Sequence, residues 1–268
     1  MDIALENIEI LDLEQPRFDG MPIHPAHEQA GYSFFLHRRH TDWENENRRS
    51  SAAGLIIASD HAGTHIDALA HQAEGMLMCG GVAVSFENET PMGITDLGIE
   101  TVLPIYSRGV MLDVPAALGI DELPQRFLIS AEVLQKCVER QGIQIRSGDT
   151  VLVRTGNGRF FRDVDRYMNG PAPDTDASEW LAELGPVAVG ADNICWDLPG
   201  YADPRLGDLP GHIVLLIRKG IHLIENVYLE PLVEKGCYEF EFICSPLKLE
   251  GATASPVRPL AIIRNTNN

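Results

Sequence analysis

His61-Ala62-Gly63-Thr64-His65-Ile66-Asp67-Ala68-Leu69-Ala70-His71 gathers three of the chain's nine histidines and a carboxylate into one short run. His61, His65 and Asp67 offer two neutral imidazoles and one hard oxygen, a donor mixture that suits Zn²⁺ or Mn²⁺ and leaves coordination positions for water and substrate. His71 then remains as an acid/base. On a continuous helix His61 and His65 share one face while Asp67 and His71 share another, so no straight helix gathers all four. In an extended chain residues 61, 65, 67 and 71 have the same parity and point one way, and Gly63 admits backbone angles closed to other residues. The expectation is an extended or sharply turned stretch through Gly63-Thr64 that passes into a short helix near Asp67, whose carboxylate would face the amides at the helix start. Surface histidines beside a helix cap are the bland alternative, and the spacing argues against it.

Outward from this run the sequence reads as strands with few helices between them. Ile8 to Leu13 looks like a strand, broken by Gln15-Pro16 and Asp19-Gly20, with Pro22 and Pro25 extending the irregular stretch. Ala53-Gly54-Leu55-Ile56-Ile57-Ala58 is a compact apolar strand whose C-terminal end would present the ligands. Val110 to Val114, Thr150 to Arg154, Val187 to Asp192, Ile213 to Ile217, Ile221 to Ile224, Tyr238 to Cys244 and Leu260 to Ile263 are further strands. Ser130 opens a helix as its cap, and Ser178 to Leu184 forms another that Gly185 ends. Residues 37 to 50 are too polar for a core, yet carry Trp43, which fits a lid, an intersubunit contact or a solvated loop. These elements predict an α/β or α+β single domain over residues 1–268 around a largely buried central sheet.

The 268 residues suffice to bury a substantial core, and 44% hydrophobic with 22% charged content fits a soluble globular enzyme. With no signal peptide and no apolar run long enough to cross a bilayer, a cytoplasmic location is expected. A formal net charge of -18 repels nucleic acid and anionic membranes, so neither is an expected partner. The five cysteines are widely spaced without a Cys-x-x-Cys pair, which predicts reduced, mostly buried thiols rather than a disulfide framework or a thiolate zinc site.

The His-x-Gly-Thr-His-x-Asp-x-x-x-His run resembles the signature of the metal-dependent cyclase family, which includes bacterial kynurenine formamidases and isatin hydrolases. Asp12-Leu13 with Gly20-Met21-Pro22 resembles the family's opening, Val153-Arg154-Thr155-Gly156 its central strand and turn, and Val189-Gly190-Ala191-Asp192 a later strand ending in a pocket aspartate. His212 with Leu215-Leu216, Gly220-Ile221 and Ile224-Glu225-Asn226 resembles the downstream block. Ser245-Pro246-Leu247 and Ser255-Pro256-Val257-Arg258-Pro259 resemble the closing segment. Two departures stand out: Leu69 replaces a proline usual in the formamidases, and the segment from His212 to Glu225 is about one residue longer than in the two-zinc formamidases, closer to the isatin-hydrolase type. The resemblance implies a swivelling β/β/α fold with a central mixed sheet, assembled as a homodimer or homotetramer whose subunits contribute to one another's pockets.

A divalent ion, Mn or Zn, on His61, His65 and Asp67 would bring the pKa of bound water toward about 7 and supply a hydroxide, with His71 passing the proton to the leaving nitrogen. The expected activity is hydrolysis of an amide C–N bond in a small molecule such as an arylformamide, an isatin-like ring or a lactam. A lactone or ester hydrolase is the alternative, as is a non-catalytic metal-binding module, against which the presence of His71 counts. There is no Gly-x-Ser-x-Gly elbow for a serine hydrolase. His212 and Glu225 are candidates for a second ion, or for orienting water around a single one; the alternatives are a Pro-Gly turn residue and a strand end at the surface. The longer spacing favours one ion over two. Asp192 fits a pocket carboxylate or a helix cap, Thr64 a turn stabiliser, and Arg258 a carboxylate binder or an exposed ion pair. Phe34, Phe35, Trp43, Phe160, Phe161 and Trp196 are available to line an aromatic pocket or to pack.

Overall fold

The computed structural model describes residues 8–29, 31–42 and 49–264, so the expectation attached to Trp43 lies outside the described residues. The elements that position the site are β1 (Ile8–Asp12), β2 (Tyr32–Arg38), β3 (Ala53–Ala58), β4 (His65–Asp67), β5 (Ile105–Asp113), β6 (Thr150–Arg154), β7 (Ala188–Ala191), β8 (His222–Glu225), β9 (Glu239–Cys244), β10 (Ala254–Pro256) and β11 (Leu260–Arg264). Nine of these form one mixed, curled sheet in the order β1-β11-β9-β5-β6-β7-β8-β4-β10. Its centre, β5 to β8, is parallel. The strands on either side join antiparallel.

The aliphatic runs of the parallel strands are buried on both faces, and period-two alternation divides them between two cores. Val110, Leu112, Val151, Val153, Val189 and Leu223 face one way, onto Leu134 and Cys137 of α1 (Ala131–Gln141) and Ala177 and Leu181 of α2 (Thr175–Leu184). Met111, Leu152 and Ile224 face the other way, where Ile66, Phe240, Phe242, Ala261 and Leu11 from the antiparallel wings curl over them. At Gly190, in the middle of β7, a Cβ would lie 2.7 Å from the Ile224 carbonyl and 3.0 Å from Leu152 Cδ2, so only glycine lets the three strands close. Helix α2 begins earlier than its apolar pattern shows, because Asp174 caps it by accepting from Ala177 N at 2.8 Å; Gly185 ends it in the left-handed conformation.

Two local expectations are corrected. Residues 213–217 are no strand: His212–Ile217 is a π-helix set within a longer helical segment. A short run of β-branched and leucine residues suits either state, and here Val214 and Leu215 pack beneath α2. No helix forms near Asp67, which instead ends β4, held between β8 and β10. The apolar run 53–58 is a strand as expected; among the described residues it pairs only with β2, and Leu55, Ile56 and Ile57 are exposed together with Phe34, Phe35 and Leu36. Among the described residues no helix is long and apolar enough to cross a membrane.

Candidate metal centre

The cluster forms where the carboxyl end of β8 meets β4, at the C-terminal edge of the parallel strands. Antiparallel register sets His65 opposite Glu225 and Ile66 opposite Ile224. Alternation then sends Ile66 into the second core and leaves His65 and Asp67 together on the other face. His61 joins them across a tight turn. Gly63 sits at φ +67, and Arg17 clamps the turn by donating to the carbonyls of Ala62 and Thr64. Thr64 Oγ1 donates to Asn226 O at 2.7 Å and accepts from Gln15 N at 2.9 Å, which ties the turn to the strand end that carries Glu225.

Asp67 is the hub. His61 Nδ1 lies 3.2 Å and His65 Nε2 3.5 Å from its Oδ1, while His212 Nε2 lies 3.6 Å from its Oδ2. None of these contacts has hydrogen-bond geometry, and both Asp67 oxygens are without a hydrogen-bond partner although the residue is only 1% exposed. Glu225 closes the far side, 3.5 Å from His65 Nε2 and 3.7 Å from His212 Nε2. The surface alternative for Glu225 is thereby overturned, since it is buried at 5% exposure and accepts from Trp196 N at 2.7 Å. His71 is half-buried, its ring 4.1 Å from that of His61 and 5.8 Å from that of His212.

The distal nitrogen of each inward-facing ring is anchored. His61 Nε2 pairs with Thr253 Oγ1 at 3.1 Å, His65 Nδ1 with the Gly63 carbonyl at 2.8 Å, and His212 Nδ1 with Asp197 Oδ2 at 2.6 Å. Such partners fix ring orientation and tautomer around metal ions. Burial alone would raise the Asp67 carboxyl, but the nearby His71, His212 and His61 rings outweigh it and hold it well below the usual carboxylate range. Burial pushes His65 down to about 4 and His71 well below the ordinary imidazole range, so both rings are neutral at pH 7. His212 is desolvated too, yet the carboxylates of Asp197 and Asp67 carry it well above that range. Glu225 is raised by burial and by the charge of Asp67.

Donor atoms of His61, His65 and Asp67 lie within 4.8 Å of one another, as do those of Asp67, His71 and His212, and of Cys195, His212 and Glu225. Two buried carboxylate oxygens without a hydrogen-bond donor, facing ring nitrogens of His61, His65 and His212, are costly without a cation. The residues therefore fit a divalent ion by their own chemistry.

The structure brings all six sequence-predicted site residues together and adds others. His27, on the short 3₁₀ turn Pro25–His27, stacks on His61 with ring centroids 4.2 Å apart, and burial with the neighbouring His61 ring lowers it to about 4. Its sequence signal was two histidines, His24 and His27, in a proline-broken stretch. Asp197, Cys195 and Thr253 carried no motif. Asp192 does not reach the cluster: it accepts from Thr155 N, Thr155 Oγ1, Gly156 N and Gly158 N, so it shapes the turn after β6. Arg258 pairs with Asp12 at the surface. Phe161 packs edge-on to Tyr167, and Trp196 is buried with its indole N–H on Ser178 Oγ; neither is an open aromatic wall.

Comparison with known proteins follows the same lines. The Cyclase family model matches residues 11–198, which contain His61, His65, Asp67 and His71 but neither His212 nor Glu225. A kynurenine formamidase of Geobacillus thermodenitrificans is 28% identical over 251 residues, 92% of this chain and 94% of the relative. An isatin hydrolase of Roseibium aggregatum is 26% identical over 218 residues, 78% of this chain and 73% of the relative. Among solved structures, a novel cyclase superposes with a TM-score of 0.84 at 25% identity, covering 96% of this chain and 87% of that one.

Proposed function

The chain belongs to the cyclase family, and from that premise we propose that it is a metal-dependent hydrolase that cleaves an amide C–N bond in a small molecule. The observation that carries the reading is the pair of buried Asp67 oxygens with no hydrogen-bond donor, facing imidazoles of His61, His65 and His212. His61, His65 and Asp67 would hold the ion, zinc or manganese. When bound, such an ion supplies an acidified water and polarises the substrate carbonyl. An arylformamide or isatin-like ring is the substrate class the named relatives support.

The chain's own residues supply the proton chemistry. His71, half-buried and kept neutral by desolvation, stands at the rim of the cluster, where it takes a proton from the attacking water and returns it to the departing nitrogen. Thr253, Gly63 and Asp197 keep the three inward-facing rings from rotating. A second reading, a pair of ions sharing Asp67, is favoured by one feature: its two oxygens face different histidines, and Glu225 spans His65 and His212. The longer spacing from His212 to Glu225 that the resemblance implies does not oppose it, because a π-turn encloses one more residue per hydrogen-bonded ring than an α-turn and would take up such a surplus.

This reading includes a homo-oligomer, supported by the β2–β3 hairpin that leaves Phe34, Phe35, Leu55 and Ile56 uncovered. Elemental analysis of the purified protein and of His65→Ala, with turnover measured on arylformamides, isatins, lactams and lactones, tests the whole. Equal metal content in the two proteins refutes the ligand assignment. Turnover of lactones alone refutes the amide specificity.

A further inference from the structure

We propose that Cys195 is a metal-ligating thiolate which, with His212 and Glu225, forms a sulfur-containing coordination set that selects zinc over manganese. The inference rests on the metal-hydrolase reading above and deepens it. Cys195 Sγ, a ring nitrogen of His212 and a carboxylate oxygen of Glu225 all lie within 4.8 Å of one another, and all three residues are buried. Zinc takes sulfur at ~2.3 Å and nitrogen or oxygen at ~2.0–2.2 Å, which sets tetrahedral ligand atoms ~3.5 Å apart. The trio needs to close by about 1.3 Å at most to reach that spacing.

Neighbouring residues hold Cys195 at this place. Trp196, next in sequence, donates its amide to Glu225 Oε1 at 2.7 Å, and Asp197, one further on, accepts from both the ring and the amide of His212. The segment that carries the thiol is thus tied to the two side chains with which it would share an ion. Asp67 is an independent observation that points to a cation: its Oδ2, buried and without a hydrogen-bond donor, lies 3.6 Å from His212 Nε2.

The other buried cysteines have different surroundings. Cys137 donates to Val133 O in its own helix, and Cys244 is packed among Phe242, Ala261 and Ile105. A buried cysteine often serves as a small apolar filler. Cys195 also packs in an apolar cluster with Met21, Phe161 and Tyr167, but unlike Cys137 and Cys244 it brings its Sγ within 4.8 Å of donor atoms of His212 and Glu225. Thiolate donors favour zinc, whereas hard carboxylate sites accept manganese. Coordination releases the thiol proton to solvent as the sulfur–metal bond forms, with no redox change.

Cobalt(II) titration of the metal-stripped protein tests this. Cobalt held by the cluster gives visible ligand-field bands, and a sulfur ligand adds a near-ultraviolet charge-transfer band. The expected result is both bands in the native chain, and in Cys195→Ser the visible bands alone, with the preference for zinc over manganese reduced by about tenfold or more. Visible bands without the charge-transfer band in the native chain overturn the proposal and leave the metal-hydrolase reading standing. A charge-transfer band that persists in Cys195→Ser overturns it by assigning the sulfur to another cysteine. The absence of both bands removes the metal-hydrolase reading along with it.

Discussion

Replacing Asp197 with asparagine probes how the cluster is held. Asp197 accepts three hydrogen bonds in a buried setting: from Gly211 N at 2.7 Å, His212 N at 3.0 Å and His212 Nδ1 at 2.6 Å. Asparagine keeps one acceptor oxygen. If that oxygen stays on Gly211 N, the new amide NH₂ faces the backbone N–H of His212, and the ring must turn Nδ1 into an acceptor. The ring proton then moves to Nε2, the atom that faces Asp67 and Glu225, and blocks it as a ligand. If the oxygen turns to His212 instead, Gly211 N loses its acceptor. Either way one buried N–H is left unpaired, at about 1–3 kcal/mol of stability. Loss of such an outer partner also lowers metal affinity by ~10–100-fold, equivalent to ~1.4–2.8 kcal/mol. Zinc competition against a chelator, run alongside urea denaturation of the metal-free protein, separates the two effects. A variant that loses stability but binds zinc with native affinity would show that His212 is no ligand and that Asp197 only anchors the loop.

Three further outcomes are expected. His71→Ala retains its metal by elemental analysis while kcat falls by ~10²–10⁴-fold; loss of the metal instead would make His71 a ligand. Gly190→Ala destabilises the fold by about 1–3 kcal/mol in urea denaturation, because its Cβ meets the Ile224 carbonyl and Leu152, and an unchanged midpoint would mean that β7 and β8 can part freely. Asp192→Asn, which turns an NH₂ toward either the Thr155 pair or the amides of Gly156 and Gly158, costs about 1–3 kcal/mol without changing metal stoichiometry; altered stoichiometry would place Asp192 in the site after all.

The ligand run was legible because its chemistry is local. Parity alone put His65 and Asp67 on one side of a strand, and the structure adds only the strands that flank them. The helix expected at Asp67 was wrong because a segment this short has no decisive periodicity of its own, and pairing to β8 and β10 decided its state. The exposure of β3 was invisible for a related reason. An apolar run shows that a strand forms, not which face finds a partner, and among the described residues β3 finds only β2. Cys195, Asp197, Thr253 and His27 reach the cluster from distant parts of the chain, and no spacing rule links them to His61. Only the packed sheet puts them there.

The π-helix at His212–Ile217 has a consequence for how such a chain can change length. His212 is its first residue, and its ring is fixed from upstream, by Asp197 and the Gly211 turn. Glu225 is fixed from the other direction, by strand pairing with His65. The wide turn between these two anchors is a splice that tolerates a gained or lost residue by switching between five-residue and four-residue hydrogen-bonded spacing. Insertions in this stretch would be carried as local slack, and relatives whose sequences differ in length here can present the same two side chains to the same point in space.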